Sequence, residues 1–295
     1  MKQKFSGIFC LLLATIIWGG AFVAQGSGMD LLGPFTFQAI RAFLAVLAMV
    51  VCIPLLEYHE LHKFRQKWLD PKLWKVGILC GLALFAATSL QQVSLVDTDP
   101  GKAGFITAMY ILFVPILGLL LRQKLSLMTG ISIPIAVIGM YLLCCVGTAN
   151  IVLYDLFLFG CAIAFAVQIT LVDRFGQGLD SIRLNCVQAL VVAILSIPFA
   201  LTEPTGIGNI LACSGPLLYS GVLSMGLAYS LQIIGQKRFD STPAALIMSL
   251  ESVFALLFGV LFAEEALDIW KALGCFLIFS AIILSQLPSP KKKIQ

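Results

Sequence analysis

GILCGLALFAATSLQQVSLVDTDPGKAGFITAMYILFVPILGLLLRQKLS, residues 77–126, lies without a gap over LYSGVLSMGLAYSLQIIGQKRFDSTPAALIMSLESVFALLFGVLFAEEAL, residues 218–267, when the chain is slid against itself by 141 positions. Eleven of the fifty positions are identical, among them Gln91 with Gln232 and Asp99 with Asp240. Each copy holds two apolar runs of about twenty residues, the length that crosses a hydrocarbon core of about 30 Å as helix. Earlier in each half the offset becomes 147 and lays Q-A-I-R-A (38–42) over N-C-V-Q-A (185–189), the difference being a longer basic loop after the second run of the first half. The two halves, residues 1–147 and 148–295, therefore share one plan.

Working outward, ten apolar runs bounded by Gly, Pro or charge fall near 6–25, 34–56, 74–94, 101–121, 127–146, 152–172, 181–200, 213–236, 243–263 and 269–287. The composition agrees: 60% of the 295 residues are hydrophobic and 12% charged, with a mean hydropathy of +1.00, whereas soluble domains carry about a quarter charged residues. The expected fold is an all-α integral membrane protein of ten transmembrane helices. Five is an odd number of crossings, so the second copy enters the membrane from the opposite side, the inverted-repeat design of many carriers, in which substrate sits near the midplane between halves.

With both termini placed in the cytoplasm, sixteen of the nineteen Lys and Arg residues fall in inner connections, Lys102 and Lys271 in outer ones, and Arg41 inside a helix. This is a strong positive-inside signal. The net charge of +4 is accounted for by it, and no nucleic-acid partner is expected. Lys2 and Lys4 before an apolar stretch resemble a signal peptide, but no clean small-x-small site follows, and the repeat favours keeping this segment as the first helix. The nine cysteines show no C-x-x-C spacing and read as small core residues. His59 and His62, with Glu57 and Glu60, read as a solvated inner loop rather than a metal site. No cofactor is expected, and no G-x-x-x-x-G-K-[ST] loop occurs, so a gradient rather than a Walker-type ATPase must supply energy.

W-G-G-A-F at 18–22, Arg41 about twenty residues on, and S-L-E-S-V-F-A-L-L-F-G-V-L-F-A-E-E at 249–265 followed by G-C at 274–275 together resemble the EamA-type branch of the drug/metabolite transporter superfamily. The resemblance implies a carrier in the cell membrane with cytoplasmic termini, handling small metabolites such as amino acids or their relatives, often outward.

A charge inside the span costs about 2.5–3.5 kcal/mol on insertion scales, so such a residue faces a cavity or a partner. Arg41 and Glu251 are the two clear cases, separated along the membrane normal by roughly 8 Å on ideal helix rise. Arg41 is expected to hold a carboxylate, and Glu251 an amine or a coupling proton. Polar side chains repeat at matched positions: Gln91 with Gln232, Gln38 with Asn185, and Arg41 with Gln188. Such pairs line a shared cavity or tie helices together, and Gln168, in mid-span, joins them. Trp18, Tyr110 and Tyr229 are candidate aromatic walls; Tyr110 is the first-half counterpart of Glu251. A membrane-embedded enzyme would need acid pairs, His ligands or a Ser/His set within the bilayer, and a channel repeated filter carbonyls. Carrier transport of a small molecule fits better.

Overall fold

The computed structural model of the chain describes residues 2–58, 61–123, 125–144, 153–262 and 267–287. His59, Glu60, the side chain of His62, Lys124, Glu264, Glu265 and the C-terminal lysines lie outside these, so of the histidine cluster only Glu57 is described, and it is not a solvated loop residue but ion-paired with Arg183 and Lys67. Among the described residues the structure is helical, with eight long apolar stretches and two shorter ones, five to each half of the chain.

In the first half these are α1 (Lys2–Met29), α2 (Pro34–Leu56), α4 (Pro71–Ser94), the consecutive α5 (Pro100–Ala108) and α6 (Tyr110–Leu120), and α7 (Leu127–Cys144), with a short α3 (Leu61–Trp68) between α2 and α4. The second half runs α8 (Leu153–Phe175), α9 (Ser181–Ala200), α10 (Ile207–Ala212), α11 (Ser214–Leu218), a π-helical segment (Tyr219–Ala228), α12 (Tyr229–Gln236), α13 (Ser241–Met248), α14 (Glu251–Phe262) and α15 (Ile269–Gln286). Start signals are local. Pro34, Pro71 and Pro100 stand in the first turns of α2, α4 and α5, where a missing N–H costs nothing. Asp70 and Asp180 accept the amides of Lys72 and Arg183 as helix N-caps.

Helices α2 and α9 pack along their whole length. Phe35 stacks on Phe199 at 4.7 Å, the Gln38 amide donates to Ser196 Oγ at 3.2 Å, and the Asn185 amide meets Met49 Sδ at 3.3 Å. Gln38 and Asn185 stand 147 positions apart, as do Met49 and Ser196, so the same contact occurs twice with the halves exchanged. Both ends of the pair are tied by a glutamate that follows its own helix. Glu203 accepts the Phe35 and Thr36 amides at 3.0 and 2.7 Å, and Glu57 accepts both Nη groups of Arg183 at 2.8 and 2.6 Å.

Two features were not foreseen. The fourth and ninth spans are broken at matched positions, Met109 and Ser249–Leu250. There i→i+3 bonds replace the regular ladder: Met109 N to Ile106 O, and Leu250 N to Ile247 O. Neither break carries Gly or Pro, and Pro115 lies inside α6 without ending it. The eighth span is π-helical over ten residues, whereas its first-half counterpart α4 is regular α-helix.

Candidate functional site

Seven of the ten side chains singled out in the sequence, Trp18, Arg41, Gln91, Tyr110, Tyr229, Gln232 and Glu251, line a single buried cavity. They reach it from α1, α2, α4, α6, α12 and α14. The two span breaks explain two of these positions, because Tyr110 and Glu251 are the first residues of the half-helices α6 and α14. The cavity is narrow, about 30 Å³, room for about two waters.

Close backbone approach sets the walls. A β-carbon at Gly221 would come within 2.7 Å of the Arg41 carbonyl oxygen, and one at Gly19 within 2.6 Å of the Phe254 backbone carbon, so the π-helical segment seats on α2 and α1 seats on α14 without side chains between. A π-helix displaces carbonyls from regular bonding. Asn185 answers this: its amide donates to the carbonyls of Met225 and Gly226, both at 2.9 Å, next to the cavity-lining Ser224 and Met225.

The walls combine aromatic surface with unpaired polar atoms. Trp18 and Tyr229 pack with ring centroids 5.0 Å apart, and Phe165 adds a further face. Trp18 Nε1, Arg41 Nε and Nη2 and Gln232 Oε1 are buried with no hydrogen-bond partner among the described residues, and the Tyr110 hydroxyl and the Glu251 carboxyl, close enough to interact with each other, have no other partner there. Each unpartnered group costs about 1–3 kcal/mol if nothing else satisfies it, so four around one cavity mark a place built for a polar ligand or for water. Arg41 is 2% exposed; its Nη1 donates to Gln25 Oε1, and its guanidinium carbon lies 5.8 Å from the Phe37 ring centroid. No carboxylate neutralises it among the described residues.

The other three candidates stand behind the wall. Gln38 ties α2 to Ser89 of α4 at 2.8 Å as well as to Ser196. Gln168 donates to Gln188 Oε1 at 2.9 Å and accepts from Gln232 Nε2 at 3.1 Å, and Gln232 also donates to Gln236 Oε1 at 3.2 Å. This amide ladder starts at the cavity wall with Gln232 and runs to the end of α12. Sequence reasoning missed Gln25, Thr107 and Ser224 in the lining. Gln91 donates to Thr107 Oγ1 at 3.4 Å. Gln25 overlies Val172 at the 147 offset, so a search for matched polar pairs passes over it.

A second polar centre lies where α2 ends and α9 begins. The Arg183 side chain is fully buried against Glu57, between the rings of Phe64 at 5.2 Å and Trp68 at 5.5 Å, and Lys67 also pairs with Glu57 at 2.7 Å. Hydrogen bonds from Arg183 hold the Glu57 carboxyl down from 4.5 to about 2. The sequence treats Arg183 as one of the inner loop cations; the fold buries it because α3 folds back over the start of α9. Among the described residues no group of three or more His, Cys, Asp or Glu side chains is placed to hold a metal.

The model of the EamA-like transporter family matches residues 5–145 and 152–287. An uncharacterized transporter of Archaeoglobus fulgidus is 30% identical over 281 residues, covering 94% of this chain and 84% of the relative. A second from the same organism is 24% identical over 282 residues, covering 93% and 96%. The uncharacterized transporter YoaV of Bacillus subtilis is 20% identical over 292 residues, covering 96% and 98%. A crystal structure with 20% sequence identity superposes with a TM-score of 0.75 and covers 95% of this chain and 96% of its own, a likeness of fold.

Proposed function

This chain belongs to the EamA-like transporter family, a multi-pass membrane transporter and not an enzyme, and on that premise we propose that its substrate is a small zwitterion, an amino acid or a related metabolite. Transport is gradient-driven and proceeds by alternating access, outward across the cell membrane, with both termini cytoplasmic and the two halves inverted. The observation that carries the reading is a basic and an acidic side chain lining one buried cavity. Arg41 offers two unpaired N–H groups and Glu251 a carboxyl whose neighbour is the Tyr110 hydroxyl, while Trp18, Tyr229 and Phe165 supply apolar surface.

Arg41 holds the substrate carboxylate. Glu251 takes its amine or, between turnovers, a coupling proton, since a carboxyl in such a place changes charge as its access to water changes. Gln91 and Gln232 complete the cavity, and Gln38, Gln168 and Gln188 brace it. Thermal stability of the purified protein tests this against a panel of amino acids, the matching amines without the carboxylate and the matching acids without the amine. A ligand at a hundredfold over its Kd adds about 2.7 kcal/mol. Stabilisation by the zwitterion that is lost in Arg41→Ala supports the assignment; equal stabilisation of both proteins removes Arg41 from the site. If Glu251→Gln leaves uptake into vesicles and its pH dependence unchanged, the coupling role is wrong.

A further inference from the structure

We infer that Gln25 is a positioning residue for Arg41, holding the guanidinium by its Nη1 corner so that the Nε–Nη2 edge stays free for a group with two anionic oxygens. Gln25 stands near the end of α1, is 3% exposed and lines the cavity. Its orientation is fixed from both ends. The amide nitrogen donates to the Ala21 carbonyl one turn back at 3.0 Å, which leaves the amide oxygen to accept from Arg41 Nη1. The flipped amide would set an N–H against a carbonyl-free guanidinium and a lone pair against a carbonyl, losing both bonds.

What remains of Arg41 decides the ligand chemistry. Phe37 covers one face of the guanidinium, Gln25 holds Nη1, and the buried atoms without partners among the described residues are Nε and Nη2. These two N–H groups lie side by side on one edge of a planar fork, the arrangement that matches both oxygens of a carboxylate at once. A single-oxygen acceptor such as a ketone or hydroxyl would leave one of them unmet.

The identity of residue 25 matters as much as its reach. A carboxylate of the same shape would pair with Arg41, neutralise it and compete with any incoming anion. An amide supplies the acceptor without the charge, so the guanidinium is held in place and still uncompensated.

This inference rests on the reading of Arg41 as a ligand contact, and the test separates the two. The full-length protein in lipid vesicles is treated with phenylglyoxal, and adducts on Arg41 and on the exposed Arg65 are followed by peptide mass spectrometry in wild type, Gln25→Glu, Gln25→Asn and Gln25→Ala. Arg65 serves as internal reference for reagent and fold. Expected are measurable labelling of Arg41 in wild type and a fall of about tenfold in Gln25→Glu, as for an opposite charge placed within hydrogen-bond distance, with Asn and Ala labelling faster than Glu. A purely structural glutamine predicts wild-type labelling in Gln25→Glu, because Glu is the isosteric replacement. Arg41 labelling that is indifferent to Glu at 25 overturns the role of Gln25 and leaves the carrier reading standing; an Arg41 that never labels in wild type overturns both.

Discussion

Arg183 shows how one residue can carry a charge into a place without water. Its side chain is fully buried, and its charge is met by Glu57 with two hydrogen bonds, by Asp180 at 3.4 Å and by the faces of Phe64 and Trp68. Glu57→Gln removes the nearer of two carboxylates and leaves Arg183 with Asp180, so it is expected to cost about 1.5–3 kcal/mol, the range for hydrogen bonds to a charged group, read as a lower thermal midpoint. The pH dependence has a definite sign. Because the folded carboxyl titrates near 2 rather than 4.5, its contribution is fully present above about pH 4.5 and is lost as pH falls through about 2. Thermal midpoints of wild type and Glu57→Gln should therefore converge below pH 4.5; parallel curves down to pH 2 would show that Glu57 is not the group responsible. The same residue scale separates two glycines. Gly221→Ala drives a β-carbon into the Arg41 carbonyl and is expected to cost about 1–3 kcal/mol, whereas Gly215, with nothing within 4 Å of its β-position, should accept alanine without loss.

At the scale of elements, the eighth span departs furthest from regular helix. In its π-helical stretch the carbonyls of Met225 and Gly226 accept from Asn185 of another helix, and that of Gly226 also from Ser230 Oγ at 2.7 Å. Asn185→Leu keeps the volume and removes the amide donor, so a loss of about 1–3 kcal/mol is expected. An unchanged melting temperature would mean that this segment can return to α-helix unaided. The broken spans α5–α6 and α13–α14 were not legible in the sequence, since tight i→i+3 turns of this kind need no Gly or Pro when hydroxyls take up freed carbonyls, as Ser249 and Ser252 do with Leu246 and Ser249. The start of α2 depends on Glu203, far along the chain. Glu203→Ala removes the acceptor of two first-turn amides and should cost about 0.5–2 kcal/mol, the range for a lost helix cap.

At the scale of the molecule, α2 and α9 are fastened at both ends and along their length, while the cavity beside them is nearly closed. If transport proceeds by alternating access, opening comes from helices that move against this pair. With Ser224→Cys as the sole cysteine, a membrane-impermeant thiol reagent is expected to react from either face of sealed vesicles, at a rate set by opening. Reaction from one face alone would speak against alternating access. The amino-acid pattern by itself determined the number of spans, the duplication and the two membrane-embedded charges, because apolar run length, self-similarity and the cost of a buried ion are properties of the chain read one residue at a time. It also picked seven cavity side chains by depth and by their matches across the halves. Only the tertiary structure decided that Gln25 rather than a carboxylate meets Arg41, that Gln38, Gln168 and Gln188 brace the wall from behind, and that Arg183 is buried under α3. Each of those depends on which face of a helix a neighbour covers, and nearly uniform apolar helices carry no pattern that says so.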